Sequence, residues 1–475
     1  MAFARLRGRG RLALAGAVAV LGVAVLVVAL SGSGEPPLPL PGIGRPARAG
    51  DPFAYSPSRQ SEFEARATAG SAHVLFTKSP GGAIATAARV AAFRGLIDRA
   101  TAGTRVDPNM LEALVFLESA GRPDVIAGPD PAAAAGLTQI LAETGQALLG
   151  MHIDLATSRK LTRQIVAASD AGDRARVARL ERARAKIDDR FDPGKALAAT
   201  VRYLELSRRR FGRSDLAIES YHMGIGNLQR VLDLYDGGHP APYAQLYFDS
   251  SPSHNASAFA LLSSFSDDSS LYYWRLLGAA QIMRLYRSDR GAVARLGSLQ
   301  SAEDSNADVL HAPDRTQTFA DPDALRSAYA SRTLLPLPSD AARLGLAYDP
   351  SIGSLAFRLG QPAQAYRGLR APALDMLVEL AARVRAMSGV RAPLTVLSTV
   401  TDRRYQRVLG FDDPPATTGY TFEIARRYAN RAQAHAFQAT LDRLQALNLV
   451  AWARGPTFIE ITIASDASQA IVGGI

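Results

Sequence analysis

The chain contains no cysteine in 475 residues. That excludes a disulfide framework, any thiolate metal site and a lipid-anchored thiol, so whatever folds must be held by ordinary packing. A long internal repeat is also lacking, which argues against a solenoid or propeller. Strand-like alternation is sparse over residues 84–290. What is present is length and positive charge. A chain this long is expected to divide into two or three domains. The formal net charge of +10 and a pI near 9.9 call for an anionic partner, which composition alone leaves open among nucleic acid, lipid headgroups and an acidic wall polymer.

The N-terminus narrows that choice. Arg5, Arg7, Arg9 and Arg11 form a basic tail, residues 1–11, ahead of an unbroken apolar run over 12–30. Such a run is long enough to cross a ~30 Å hydrocarbon layer, with its basic flank kept in the cytoplasm. A cleaved signal peptide is the rival, but its apolar region is shorter and ends in a small-x-small site, for which Ala29-Leu30-Ser31 is a poor match. The expectation is a single-pass signal anchor in the plasma membrane with the bulk of the chain on the extracytoplasmic, cell-wall side. This arrangement leaves no role for nucleic acid.

Residues 31–83 open with a Pro-, Gly- and Ser-rich stretch, including Glu35-Pro36-Pro37-Leu38-Pro39-Leu40-Pro41, and read as a semi-rigid stalk and lead-in. Helical periodicity then dominates over 84–290. Within it, Asp173 to Ile187 sets six cationic side chains around Val177, Leu180 and Ile187. That pattern fits a solvated outer face, or a contact with an anionic wall polymer or membrane surface. Residues 291–340 are polar with scattered Pro and Asp and read as a linker. Over 341–475 an amphipathic helix at Pro372 to Met387 is followed by the β-rich runs Leu394 to Val400, Tyr420 to Ile424 and Phe458 to Ile463, with a helix from Ala425 to Leu447. The fold class is therefore mainly α, an all-helical domain plus a smaller α+β C-terminal domain, after an N-terminal transmembrane helix.

One short helix carries a chemical signal. Asp107 is a good N-cap, Pro108 suits the first helical position, and Gly121 with Pro123 supplies a stop. Leu111, Leu114 and Val115 lie seven, four and three residues before Glu118, which places this carboxylate on the apolar face. Partial burial and the negative end of the helix dipole both raise a carboxyl pKa. An acid held protonated near neutral pH is what glycosidic cleavage requires. A helix-terminal Glu that simply reaches water fits the same pattern.

Downstream come Gly136-Leu137-Thr138-Gln139, then Ser220-Tyr221-His222-Met223-Gly224-Ile225-Gly226, then Leu271-Tyr272-Tyr273-Trp274. With Glu118-Ser119 these segments, in this order, resemble the motifs of the SLT-type lytic transglycosylases, whose fold is similar to goose-type lysozyme. The resemblance covers about residues 85–290. It implies Glu118 as the catalytic residue, with Ser119, Gln139, Tyr221, His222 and Tyr272 around the substrate and Tyr273 as an alternative to Tyr272. Gln139 and Tyr221 have the hydrogen-bonding groups for a sugar, and Gly136, Gly224 and Gly226 allow close backbone approach. There are departures. Thr138 stands where the family has Met, and His222 where it usually has Asn, so His222 is either a sugar contact or a buried histidine satisfying a neighbour. Glu219 and Asp268 lie close to the motifs and read most simply as capping or solubilising residues.

The chemistry the resemblance implies is cleavage of the β-1,4 bond between N-acetylmuramic acid and N-acetylglucosamine in peptidoglycan, with a 1,6-anhydro product. Glu118 serves as the single acid and base, and neither a cofactor nor a metal is required. A hydrolytic muramidase, or a noncatalytic wall-binding or scaffolding protein, would satisfy the same motifs. Glycan strands are the expected partner, and anionic wall polymers and cell-wall synthesis or division proteins are further candidates. The C-terminal segment 394–464 shows a faint resemblance to the zinc D,D-carboxypeptidase fold. Ala416 stands at the first ligand position, Glu423 replaces an Asp, and Phe458-Ile459-Glu460 has no His. A three-ligand zinc site cannot be assembled from those positions. The expectation is a noncatalytic domain, a degenerate peptidase or an unrelated α+β unit.

Overall fold

A computed structural model describes residues 53–265 and 269–472. The basic tail, the apolar run 12–30 and the Pro-rich part of the stalk lie outside the described residues. Among the described residues no helix is long and apolar enough to cross a membrane.

The molecule is mainly helical, about 60% helix, with small sheets confined to the C-terminal part. Helix Pro108–Ser119 begins as its sequence dictates: Asp107 accepts a hydrogen bond from the Asn109 amide at 2.8 Å and Pro108 occupies the first turn. It ends in a left-handed turn at Ala120 and Gly121. Its inner face buries Leu111, Ala113, Leu114, Val115 and Phe116 against helix Tyr272–Ser288 and the helices around it. Glu112 points the same way and is wholly buried, but Arg287 at 2.6 Å and Arg94 at 3.4 Å neutralise it. Two acids on one helix thus have different neighbours: one is held by arginines, and the other, Glu118, opens on a groove.

The helical fold starts earlier than its periodicity suggests. Helices Gln60–Gly70 and His73–Thr77 lie within the stretch expected as stalk and lead-in, and Phe53, Phe63 and Ala67 sit in a core shared with the C-terminal sheet. Residues 291–340, expected as a linker, are also structured. Helices Arg290–Gln300, Ser305–Leu310 and Pro322–Ala330 run through them, with Val293, Leu325 and Ala328 buried. Their polar composition conceals few but well-spaced apolar anchors, and the caps Asp289 and Asp321 fix two of the helix starts.

The C-terminal part is a five-stranded sheet in the order Leu346–Tyr348, Leu394–Ser398, Thr421–Ala425, Phe458–Ile463, Val450–Arg454. The first pair is parallel and the others antiparallel. Helices Ala371–Ser388 and Arg431–Ala446 cover it. The second of these starts six residues later than its composition suggests, because Ala425 completes a strand and Asn430 supplies the cap, accepting from the Gln433 amide at 3.0 Å.

The two parts of the molecule share a hydrophobic core. One buried cluster runs from Phe211, Tyr243 and Trp274 to Leu377, Phe422 and Ile461 without a break. Arg443 donates to the Ser250 carbonyl at 2.5 Å, and Arg66 pairs with Asp466 at 2.9 Å. The approach is so close at Gly70 that a Cβ there would lie 2.5 Å from the Gln445 carbonyl oxygen, so glycine is required for contact.

Candidate active site

Glu118 stands in the last turn of its helix, at the wall of a cavity of about 230 Å³. Gln139, Tyr203, Tyr221, His222 and Asn227 contribute to the same wall. Glu118 keeps partial exposure toward the cavity, while its carboxyl group is crowded by protein on the other sides. Burial pushes its pKa up to about 7, and the one hydrogen bond opposing this comes from Tyr272. That bond is direct: the Tyr272 hydroxyl donates to Glu118 Oε1 at 2.7 Å. Tyr272 begins helix Tyr272–Ser288, and the start of that helix is fixed by Glu219, whose Oε2 accepts the Tyr273 amide at 2.9 Å. Glu219 is thus a buried capping residue, and Asp268 lies outside the described residues.

His222 stacks on Tyr272, ring centroids 5.0 Å apart and planes at 23°. Its Nδ1 forms a 2.9 Å hydrogen bond with the Ser269 hydroxyl. The residue that departs from the family pattern therefore both lines the cavity and buttresses the tyrosine that holds Glu118.

Gln139 adopts a left-handed backbone conformation, φ 50°, on the loop after Gly136. Its amide group donates to the carbonyls of Val125 at 3.1 Å and Gly136 at 2.8 Å, which fixes the orientation of the side chain. Its Oε1 is buried with no protein donor among the described residues. A bound ligand presenting an N–H group is what such an acceptor lacks. Gly136 is needed for packing, not for a ligand: a Cβ there would meet the Arg190 carbonyl oxygen at 1.8 Å. Arg190 forms a fully buried ion pair with Asp188 at 2.7 Å and donates to the carbonyls of Ala133 at 3.0 Å and Ile140 at 3.3 Å. The guanidinium clamps both ends of the loop that presents Gln139.

Tyr221 reaches the cavity, but its hydroxyl is committed: it donates to the Thr138 carbonyl at 2.7 Å and meets the Thr200 hydroxyl at 3.2 Å. Burial holds its pKa well above the ordinary tyrosine value. It braces the loop more than it offers a free donor. Ser119 is buried, its hydroxyl donates back to the Val115 carbonyl at 3.3 Å, and it does not line the cavity. Gln139, Tyr221, His222 and Tyr272 thus gather around Glu118, and Ser119 turns away. Tyr203, Thr200, Ser269 and the Asp188–Arg190 pair belong to the same site without having been singled out in the sequence. Their contacts join residues 17 to 57 positions apart, and no local spacing announces them.

The C-terminal sheet holds a second group of acids. Glu423 and Glu460 face each other on paired strands. Burial is the main reason their pKa values rise to about 7 and about 8, and Asp413 nearby rises to about 6. His311 is buried, donates through Nε2 to the Ile463 carbonyl at 2.6 Å and stacks on Tyr420. Among the described residues no three His, Asp or Glu side chains converge in a way that could hold a metal ion.

Comparison with curated proteins and with solved structures gave no match. Comparison with protein families did, and the matched stretch contains Glu118, Gln139, Tyr221 and His222, though not Tyr272. Residues 95–239 match the family described as the transglycosylase SLT domain, a family that comprises lytic transglycosylases acting on peptidoglycan.

Proposed function

We propose that the protein is a membrane-anchored lytic transglycosylase that cuts the bond between N-acetylmuramic acid and N-acetylglucosamine in wall glycan and leaves a 1,6-anhydromuramic end. The observation that carries this reading is the environment of Glu118: a carboxyl group with pKa about 7, open to a cavity and hydrogen-bonded by the neutral Tyr272 hydroxyl. About half of such groups are protonated at neutral pH, which is the condition for a general acid. Among the described residues lining the cavity, Glu118 is the one carboxylate.

Glu118 gives its proton to the glycosidic oxygen as the bond to C1 breaks. The 2-acetamido carbonyl of the muramic ring closes on C1 and takes up the positive charge, as in substrate-assisted glycosidases. The Gln139 Oε1 acceptor suits the N–H of that acetamido group and would turn its carbonyl toward C1. Glu118, now ionised and steadied by Tyr272, removes the proton of the C6 hydroxyl as its oxygen attacks C1 and displaces the acetamido oxygen. Proton and charge return to their starting state without water. The anchor is the apolar run 12–30 behind its basic tail, which would keep the folded part on the wall side, and the C-terminal domain is read as a noncatalytic surface for wall or partner.

The test is mass spectrometry of wall glycan digested by the full chain. Anhydromuramic ends are expected. Reducing muramic ends in their place would make the protein a hydrolytic muramidase, and an unchanged digest with Glu118→Gln matching the parent in cells would make it a noncatalytic wall protein.

A further inference from the structure

The positive charge of this chain is concentrated. Residues 155–186 hold nine Lys and Arg against three Asp and Glu, a net +6 within the formal +10 of the whole sequence. They form a hairpin of two packed helices, Leu155–Asp170 and Arg174–Ala185. Lys160 and Arg163 on the first, and Arg174, Arg176, Arg179, Arg182 and Lys186 on and just after the second, are exposed. None of these seven forms an ion pair with a described residue, whereas Arg159 at the base of the hairpin pairs with Asp130 at 2.9 Å. Elsewhere arginines such as Arg94, Arg213 and Arg287 are matched with acids.

The hairpin is tied to the segment that leads from Glu118 to Gln139. Arg184 is the buried residue of its second helix. It donates to the Thr162 hydroxyl at 3.2 Å and the Asp124 carbonyl at 3.3 Å, and lies 3.6 Å over the Phe191 ring. Asp124 and Asp130 belong to the segment between Glu118 and Gln139, so the arm is tied to the loop that presents the cavity acceptor.

Its chemistry suits a solvated polyanion better than a membrane surface. Helices that lie on membranes bury an apolar face. Here Val177, Leu180 and Ile187 are already half-buried, and Val166 is the one large hydrophobic residue of the hairpin that is exposed, at 54%. Arg176, Arg179, Arg182 and Lys186 recur every three or four residues, about 5 Å apart along the axis, within one side of the helix. That spacing matches a chain carrying a charge on each short repeat, and arginine forks fit phosphate oxygens in pairs.

We propose that this hairpin is a docking arm for a phosphodiester-linked anionic polymer borne on the cell wall, holding the protein against the wall next to the glycan strand it cuts. The proposal rests on the wall-glycan reading above for its partner's location.

The test is co-sedimentation of the full chain, kept in neutral detergent, with insoluble walls that are either intact or stripped of phosphodiesters by hydrofluoric acid. It compares the parent with R176Q/R179Q/R182Q/K186Q, whose altered positions are exposed and outside the cavity. The parent should bind intact walls at least tenfold more tightly than stripped walls. The quadruple variant should lose about tenfold or more on intact walls, with its salt dependence flattened by three to four counterions, while turnover of a soluble glycan tetrasaccharide stays unchanged. Equal binding to stripped walls, an unaffected variant, or tighter arm-dependent binding to anionic lipid vesicles or duplex DNA would overturn it. A parent inactive on the tetrasaccharide would strike the catalytic reading instead and leave the binding comparison standing.

Discussion

Glu118 and Glu460 are both carboxyl groups weakened as acids by burial, to about 7 and about 8, yet their surroundings differ. Around Glu118 the neighbours are a phenol donor at 2.7 Å, a fixed amide acceptor and an open cavity. Around Glu460 they are other acids, with Glu423 directly across the strand pair and Asp413 and Asp304 close enough to raise its pKa further. A shifted acidity is thus a common result of burying a carboxylate. What separates a general acid from a buried structural acid is a neutral donor to steady the ionised form and room for the group that receives the proton.

The sharpest way to break the comparison is to remove each acid. Glu118→Gln should lower turnover of soluble glycan by about 10³-fold or more, since in the proposed mechanism both proton transfers pass through this residue, with wall binding and thermal midpoint retained. A smaller loss would return Glu118 to the status of Glu460. Tyr272→Phe comes next. Loss of a hydrogen bond to a charged group costs ~1.5–3 kcal/mol, about 10- to 100-fold in rate. Its signature is in the pH profile. On the proposed mechanism activity needs protonated Glu118, whose pKa is about 7, so it should be kept below pH 7 and lost above. The Tyr272 bond lowers that pKa, and removing it should move the alkaline limb to higher pH even as the maximum falls. A limb that stays in place would mean that Tyr272 does not act through Glu118.

These experiments bear on positions of unequal legibility. Helix Pro108–Ser119 could be read residue by residue because its signals, an Asp cap, a first-turn Pro and apolar spacing, are local. The gathering of Gln139, Tyr221, His222 and Tyr272 was legible through the order of motifs, since 154 residues separate Tyr272 from Glu118. Tyr203, Ser269 and the Asp188–Arg190 clamp were not, because what they contribute is a contact made only after folding. In the C-terminal domain the longer β-branched runs were readable, but strands Leu346–Tyr348 and Val450–Arg454 were not: one has three residues, and the other ends in Ala453-Arg454. The polar stretch before the sheet misled in the opposite sense, since its helices are held by caps and a few anchors instead of a continuous apolar stripe.

His222 tests how finely the Glu118 environment is tuned. His222→Asn restores the residue usual at that motif position but removes the ring stacked on Tyr272. An aromatic pair contributes ~0.5–1.5 kcal/mol, so kcat should fall about 2- to 10-fold, with KM moving less than kcat. His222→Phe, which keeps a ring and loses the bond to Ser269, should recover part of the loss. If KM alone rises in both variants, His222 is a sugar contact and not a support for Tyr272.

The smallest effect is expected at Glu460, where turnover should not change at all and the readout is stability against pH. Its folded pKa of about 8 lies above the ordinary 4.5, so the folded state holds a proton that the unfolded chain gives up. Below pH 4.5 both states are protonated and the group costs nothing. As pH rises toward 8 the unfolded state is increasingly favoured, and above 8 the cost is complete. Glu460→Gln removes that cost, so its thermal midpoint should match the parent at pH 4 and exceed it by roughly 2–4 °C at pH 8.5. A gain that is equal at both pH values would trace to packing instead of charge, and a fall in glycan turnover would give the acids of the sheet a share in the chemistry that their surroundings do not suggest.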